Sequence, residues 1–390
     1  MGSEPVYIAG AFEHPIREAP DKSTMQIHAE VARGALADAG LSKDAVDGLL
    51  TAGVPEYEYS LIPLVVADYL GLDVAFADTT DYGGSAYVSH VGHAASAIRD
   101  GKCDVALITL GGRPRSRAQA TGSGARKLRN VQDDFERVYG VTNTTMYGMV
   151  ARRHMHEYGT TPEQLAEIRV AASEHAQYNE DAMYREPVTV EDVVDSRVVA
   201  DPLHLLDCCV ISDGGGGLVL VSEEVRENLE RECVEVLGHG ESVGHHEAGR
   251  IDVTTSAAVD SGRRAYEEAG LGPDDVDYVG IYDSFTITVL EAIEDLGLCE
   301  KGEGGEFVEG GTLQAPGGEL PFNTDGGGLC SNHPGNRGGM TKVIEAVRQL
   351  RGEANPEVQV DADVALAHGT GGSIGTRHGA ATLVLGGGGA

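Results

Sequence analysis

The chain has 390 residues, 41% of them hydrophobic, and sets 62 acidic against 29 basic side chains for a formal charge of -33. That length allows two or three domain-sized units with a sizeable core. The absence of any run of 18 apolar residues excludes a membrane-spanning helix, and the strong negative charge argues against binding a nucleic-acid backbone. Only six of the basic residues are Lys, and an acidic, Lys-poor surface fits a protein kept soluble in a very salty cytoplasm, where salt screens the repulsion between like charges.

The first residues, MGSEPVYIAGAF, lack a basic region followed by a long apolar run, so they are not read as a secretory signal. They open a strand at Val6 to Ala9. The six cysteines, Cys103, Cys208, Cys209, Cys233, Cys299 and Cys330, show no CxxC metal spacing and no disulfide framework. A cytoplasmic protein with reduced thiols and no metal site is the expectation.

Residues 35–47, ALADAGLSKDAVD, are repeated at 265–277 as AYEEAGLGPDDVD. Each copy reads as an amphipathic helix stopped by a glycine, a short turn and then a strand, Leu49 to Val54 in the first and Tyr278 to Tyr282 in the second. A second pair agrees. Asp104-Val-Ala-Leu107 runs on to Gly111-Gly112, and Asp363-Val-Ala-Leu366 to Gly371-Gly372, each after a long helix near 85–100 or 335–351. The chain therefore holds two homologous α/β halves. The first covers 1–112 and is completed by about 206–225, where the strand Leu218 to Val221 rejoins it; the second covers 233–390. Helices alternate with short apolar strands, which implies mixed or parallel sheets covered by helices. A polar, helical insert, 113–205, with a helical run from Tyr147 to Tyr178, is placed to cap a site.

In a duplicated fold, equivalent helix starts meet near the pseudo-twofold axis. The start near Gly83-Gly84-Ser85 is equivalent to that near His333-Pro334-Gly335. Both are Gly-rich, and both present unpaired N–H groups and a positive dipole end, suited to an oxyanion or a nucleophile. Four further segments fall at strand ends or helix starts of the second half: Tyr282-Asp-Ser-Phe-Thr286, Asn323-Thr-Asp-Gly-Gly-Gly328, His333-Pro-Gly and His368-Gly-Thr-Gly-Gly372. Ends of this kind are where α/β folds place their chemistry.

With Leu205-Leu-Asp-Cys-Cys-Val-Ile-Ser-Asp-Gly214, Tyr184 to Val193, Ala200 to Leu203, Glu294 to Leu298 and Pro321 to Leu329, these motifs resemble the thiolase superfamily, in the branch of the sterol-carrier-protein thiolases. The resemblance covers nearly the whole chain. It implies the thiolase fold, an α/β core layered αβαβα with a loop domain inserted, and a β-ketothiolase activity on acyl-CoA, with coenzyme A as substrate and no resident cofactor. It implies a catalytic set of a nucleophile at the first helix start, the His333 of a Gly-His-Pro motif with Asn332 in place of the Gly, and His368 after the last strand. Here the family's Cys is missing. An ungapped count puts it at Gly84 or Ser85, so Ser85 is the candidate acyl carrier, with His333 and His368 as acid/base groups. Tyr282 stands in for the Asn or His that holds the family's oxyanion water, and Gly84, Tyr282, Asn323 and Gly371 make the expected oxyanion and substrate set.

Some thiolase-like proteins of this branch lack the Cys and cleave a β-hydroxyacyl-CoA by retro-aldol chemistry, with a Tyr-Asp motif like Tyr282-Asp283. That activity and a non-catalytic scaffold subunit are the alternatives. The acid-free island Arg113, Arg115, Arg117, Arg126, Lys127 and Arg129 is a candidate for the coenzyme A phosphates or for a protein contact. Cys330 is a further candidate thiol. Cys208 and Cys209 read as packed structure, His90 and His93 as core or interface residues, and His245-His246 as an exposed loop. The resemblance also implies a homodimer and a small separate subunit with an OB-fold and zinc ribbon.

Overall fold

The structure, a computed structural model, describes residues 4–53, 61–81, 83–117, 137–245, 252–334, 338–374 and 377–387. Among the described residues, nine strands form one mixed sheet: β1 Val6–Glu13, β2 Gly48–Leu50, β3 Phe76–Asp78, β4 Val105–Gly112, β7 Gly214–Ser222, β8 Val234–His245, β9 Tyr278–Ile281, β10 Val364–Ser373 and β11 Arg377–Gly386. Their order is β3-β2-β4-β7-β1-β8-β11-β10-β9. Two short strands, β5 Val198–Ala200 and β6 Leu203–His204, pair separately. The longer helices are α1 Thr24–Ala39, α2 Ile62–Leu70, α3 Ala86–Arg99, α4 Asn143–Tyr158, α5 Pro162–Ala176, α6 Ala258–Ala269, α7 Thr286–Asp295 and α8 Gly339–Leu350.

The repeat read in the sequence is a repeat of structure. Helix α1 stops at Gly40 (φ 69°) and α6 at Gly270 (φ 68°), both left-handed, where a Cβ would be strained. Short 3-10 turns at Lys43–Ala45 and Pro273–Asp275 lead into β2 and β9. The matched acids then do the same job. The Asp47 carboxylate accepts from the N–H groups of Asp104 and Val105, and that of Asp277 from those of Asp363 and Val364. In each half a parallel pair, β2 with β4 or β9 with β10, is followed by an antiparallel neighbour, β7 or β11. The halves join at a short seam, where Tyr7 pairs with Glu235 and Ile8 with Val234.

Strands such as Leu218-Val-Leu-Val221 are buried on both faces, as a sheet covered on two sides requires. One apolar cluster holds α3 and α8 between the two halves. A second packs α1 on the outside of the first half, and a third packs α6, α7 and the insert on the outside of the second. Helix, half-sheet, helix, half-sheet and helix thus form five layers. Each fully buried Leu or Val contributes about 1.5–3 kcal/mol to this packing.

The helical run expected from Tyr147 to Tyr178 is two helices, because Gly159 (φ 82°) ends α4 and Thr161 caps α5 in a capping box with Gln164. The helix expected to start near His333 starts at Gly339. Residues 327–331 instead form a π turn, Asn332 is extended, and 333–334 have no regular structure. The cause is a side chain: the Asp283 carboxylate takes the N–H groups of Gly328 and Leu329, at 2.8 and 3.0 Å. No helix among the described residues is long and apolar enough to cross a membrane.

Candidate active site

The starts of α3 and α8 do meet. A Cβ on Gly339 would lie 2.3 Å from the carbonyl oxygen of Gly84, so only glycine permits the approach. Gly83 (φ 81°) backs onto Gly371 and Gly372 of β10 in the same way, with contacts of 2.8–2.9 Å to a Cβ. Tyr282 enters this junction from the end of β9. Its backbone N–H donates to the carbonyl of His368, and its ring lies over Gly84 and Gly338. A Cβ on Gly84 would come within 2.6 Å of the Tyr282 ring. The hydroxyl of Tyr282 and His333 Nε2 share a hydrogen bond of 2.7 Å.

His333 is buried, and burial pushes its pKa down to about 4, against the smaller upward pull of Asp283. It is a neutral imidazole near pH 7 and so a proton acceptor. Its Nδ1 has no partner among the described residues. Its backbone is braced from the first half. His333 N–H donates to Ser212 Oγ, Ser212 donates to Asn332 Oδ1, and Asn332 Nδ2 donates to Glu13. Arg17 ties the same turn through the Ser331 carbonyl at 3.1 Å. From the insert, Arg169 donates to the Leu329 carbonyl and Asn179 to that of Asp325.

The other candidates fall differently. Ser85 is buried at the start of α3 and does not cap that helix with its side chain. His368 does not face the junction. Side chains alternate along β10, and Gly369 is the residue turned toward Ser85, with a Cβ 2.7 Å from the Ser85 Cα. His368 therefore points to the outer layer. There Nδ1 bonds Thr382, Nε2 meets Thr370 and Thr382 bonds Ser261 of α6, while burial alone lowers the imidazole pKa to about 3. What it gives the site is its carbonyl. Asn323, in the left-handed region (φ 41°), spends both ends of its amide on the backbone of Ile281, at 2.9 and 2.8 Å. It props the end of β9.

Arg113 is tied to the carbonyls of Ala19 and Pro20, and Arg115 pairs with Glu18 at the surface. Arg117 is half-buried. Arg126, Lys127 and Arg129 lie outside the described residues, as does His246. Cys330 is packed in the outer core of the second half, and burial raises its thiol to about 11; burial raises Cys208 and Cys209 as well. All six cysteines are free, and no group of three metal-binding side chains occurs among the described residues. His90 accepts from the Thr80 N–H, and His93 lies between Asp78 and Glu241.

Asp283 stands out in the sequence only beside Tyr282 in the Tyr-Asp motif of the retro-aldol alternative, and Lys342 is absent from the residues expected near the site. Lys342 had a signal: a lysine in a chain with six, between Met340, Thr341, Val343 and Ile344 on an apolar helix.

Sequence comparison agrees with this architecture. Residues 6–224 match the thiolase N-terminal domain and residues 238–387 the thiolase C-terminal domain-like family. The chain belongs to the thiolase family. Within it, an acetyl-CoA acetyltransferase of Methanothermobacter thermautotrophicus is 33% identical over 95% of this chain and 97% of its own length. A steroid side-chain-cleaving aldolase of Thermomonospora curvata is 33% identical over 93% and 95%. Sterol carrier protein 2 of Bos taurus, 34% identical, matches 59% of this chain and 44% of its own, and places the chain in that branch. The solved Ltp2-ChsH2(DUF35) aldolase superposes with a TM-score of 0.87 at 31% identity, covering 99% of both chains.

Proposed function

We propose that the protein is a carbon–carbon lyase acting on a β-hydroxyacyl-CoA by retro-aldol cleavage, with Tyr282 and His333 as the reacting pair. One observation carries the reading. The Tyr282 ring fills the space over Gly84 where a side chain at position 84 would stand, with its hydroxyl 2.7 Å from His333 Nε2. The likeness to two aldolases supports it.

The pair takes the proton of the β-hydroxyl. The O–H electron pair becomes the new carbonyl bond as the Cα–Cβ bond breaks, and the Cα–Cβ pair forms the thioester enolate. A proton returned to Cα gives a shortened acyl-CoA and a ketone or aldehyde. No acyl-enzyme forms and no free coenzyme A is consumed, so the missing Cys costs nothing. The reading includes a small accessory subunit, in line with the ChsH2(DUF35) component named for the aldolase neighbour, and a two-fold homodimer.

The test is incubation with a tertiary β-hydroxyacyl-CoA, with both products followed by chromatography, with and without such a subunit. Tyr282→Phe should lose about 100-fold in turnover, and Ser85→Ala should keep most of it. Coenzyme A-dependent thiolysis of a β-ketoacyl-CoA that disappears in Ser85→Ala would refute the lyase and favour a serine acyl-enzyme, the acyltransferase expected from the sequence.

A further inference from the structure

We propose that Lys342 is a positioning residue for the Tyr282–His333 pair: through its ion pair with Asp283 it fixes the segment carrying Tyr282 to the turn leading into His333, and it balances the charge that His333 faces. The inference rests on the lyase reading only in its choice of assay.

Lys342 lies on α8 with 1% of its surface exposed, and its Nζ is 3.0 Å from Asp283 Oδ1. An ammonium held out of water loses its hydration, so its place must be secured by a partner. Its stem runs against β9, where a Cβ on Gly280 would lie 2.8 Å from the Lys342 carbonyl oxygen and 3.2 Å from its Cβ. Glycine at 280 leaves room for the lysine two residues before Tyr282.

Asp283 is the hinge pin of the arrangement. It adjoins Tyr282 in sequence and accepts from Gly328 and Leu329 in the turn that ends at His333. Lys342 is the cation of that junction, and it stands on the helix whose start packs against Tyr282 and Gly84. The titratable and charged groups around that junction are Tyr282 and Asp283 at the end of β9, Asp325 and Cys330 in the turn, Cys209 before β7, Arg169 of the insert, Glu13 of β1, and Glu345 and Arg348 of α8. Glu13 pairs with Arg17 and Arg348, and Glu345 with Arg348. On His333 the pair acts with opposite signs: Asp283 favours the imidazolium and Lys342 disfavours it.

Removing the cation alone therefore leaves a buried carboxylate beside His333 and makes the imidazole easier to protonate. Removing both charges cancels the two pulls. The experiment is the pH profile of kcat/KM for carbon–carbon cleavage by wild type, Lys342→Gln, Lys342→Arg and the double variant Asp283→Asn/Lys342→Gln, with folding checked by near-ultraviolet circular dichroism. In Lys342→Gln the acid limb should move up by about one unit, and kcat should fall with little change in KM. Lys342→Arg should restore the limb, and the double variant should return it toward wild type.

An unmoved limb in folded Lys342→Gln, or a double variant displaced as far as Lys342→Gln, overturns the proposal. If Lys342→Gln does not fold, the other two decide. Wild-type limbs in both uphold the proposal, and a displaced limb in either overturns it. The two readings fail separately. Absence of cleavage by wild type sinks the lyase, full cleavage by Tyr282→Phe and His333→Ala sinks the choice of reacting pair, and loss in those variants with an unmoved limb in Lys342→Gln sinks only the role of Lys342.

Discussion

Gly84→Ala puts the described packing to the test with a single methyl group. An ideal Cβ at position 84 would meet the Thr370 carbonyl oxygen at 2.4 Å and the Tyr282 ring at 2.6 and 2.7 Å. Ordinary contact needs roughly 3.5 Å or more, so the ring must retreat by about 1 Å. A 2.7 Å hydrogen bond to His333 does not survive that displacement. Overpacking of this kind costs about 1–3 kcal/mol. With an unfolding entropy of about 2.1 cal/mol/K per residue, a chain of this length shifts its midpoint by only about 1–4 °C. Turnover is the more sensitive gauge, with a loss of about 100-fold expected from misplacing one acid/base group. Differential scanning calorimetry and the cleavage assay read the two effects. In a Tyr282→Ala background the stability cost of Gly84→Ala should shrink, because the ring is gone, yet not vanish, because the Thr370 carbonyl remains. Wild-type stability and turnover in Gly84→Ala would show that Tyr282 does not occupy this space.

Asp47→Ala and Asp277→Ala should each destabilise the chain by about 1–2 kcal/mol, and the double variant should show the sum within about 0.5 kcal/mol in urea unfolding. His93 is pulled up to about 9 by the hydrogen bonds it donates to Glu241 and then to Asp78, against burial. Its folded-state pKa lies above the unfolded value, so its contribution is complete below about pH 6.5 and fades as the pH rises through about 9; solvent exposure limits it to about 1–2 kcal/mol. Urea midpoints from pH 6 to 10 should fall less steeply in His93→Gln than in wild type. Cys330, with its thiol raised to about 11 by burial, should resist iodoacetamide in the native protein at neutral pH, and Cys330→Ala should keep the activity.

The architecture was legible because the duplication repeats the residues that punctuate it. Gly40 and Gly270 each need a left-handed φ, and Asp47 and Asp277 each feed a carboxylate to two strand amides, so similar residues recur for similar physical reasons. The meeting of two glycine-lined helix starts followed from the same symmetry. Side-chain direction is not carried by a motif. His368 was grouped with the site by its motif, although Ala365, Ala367 and Gly369 form the small-residue face of β10, which leaves His368 on the other. The offset of α8 from His333 depends on a contact between Asp283 and the amides of residues 328 and 329, and a contact across 45 positions leaves no periodic trace. The Tyr282–His333 hydrogen bond likewise joins residues 51 apart, each of which had been singled out for a separate reason.

The close passage of Gly84 beneath Tyr282 joins the two halves in heredity as well as in space. Residue 84 belongs to the first copy of the repeat and residue 282 to the second, and neither can enlarge unless the other gives way. Exchanging the first half for that of a relative with a bulkier residue at this turn would drive a side chain into the phenol ring. Exchanging the second half for one without the tyrosine would leave a void over a glycine. Viable recombinants between such lineages must carry both positions across together, so the pair is inherited as a unit although nearly 200 residues separate its members.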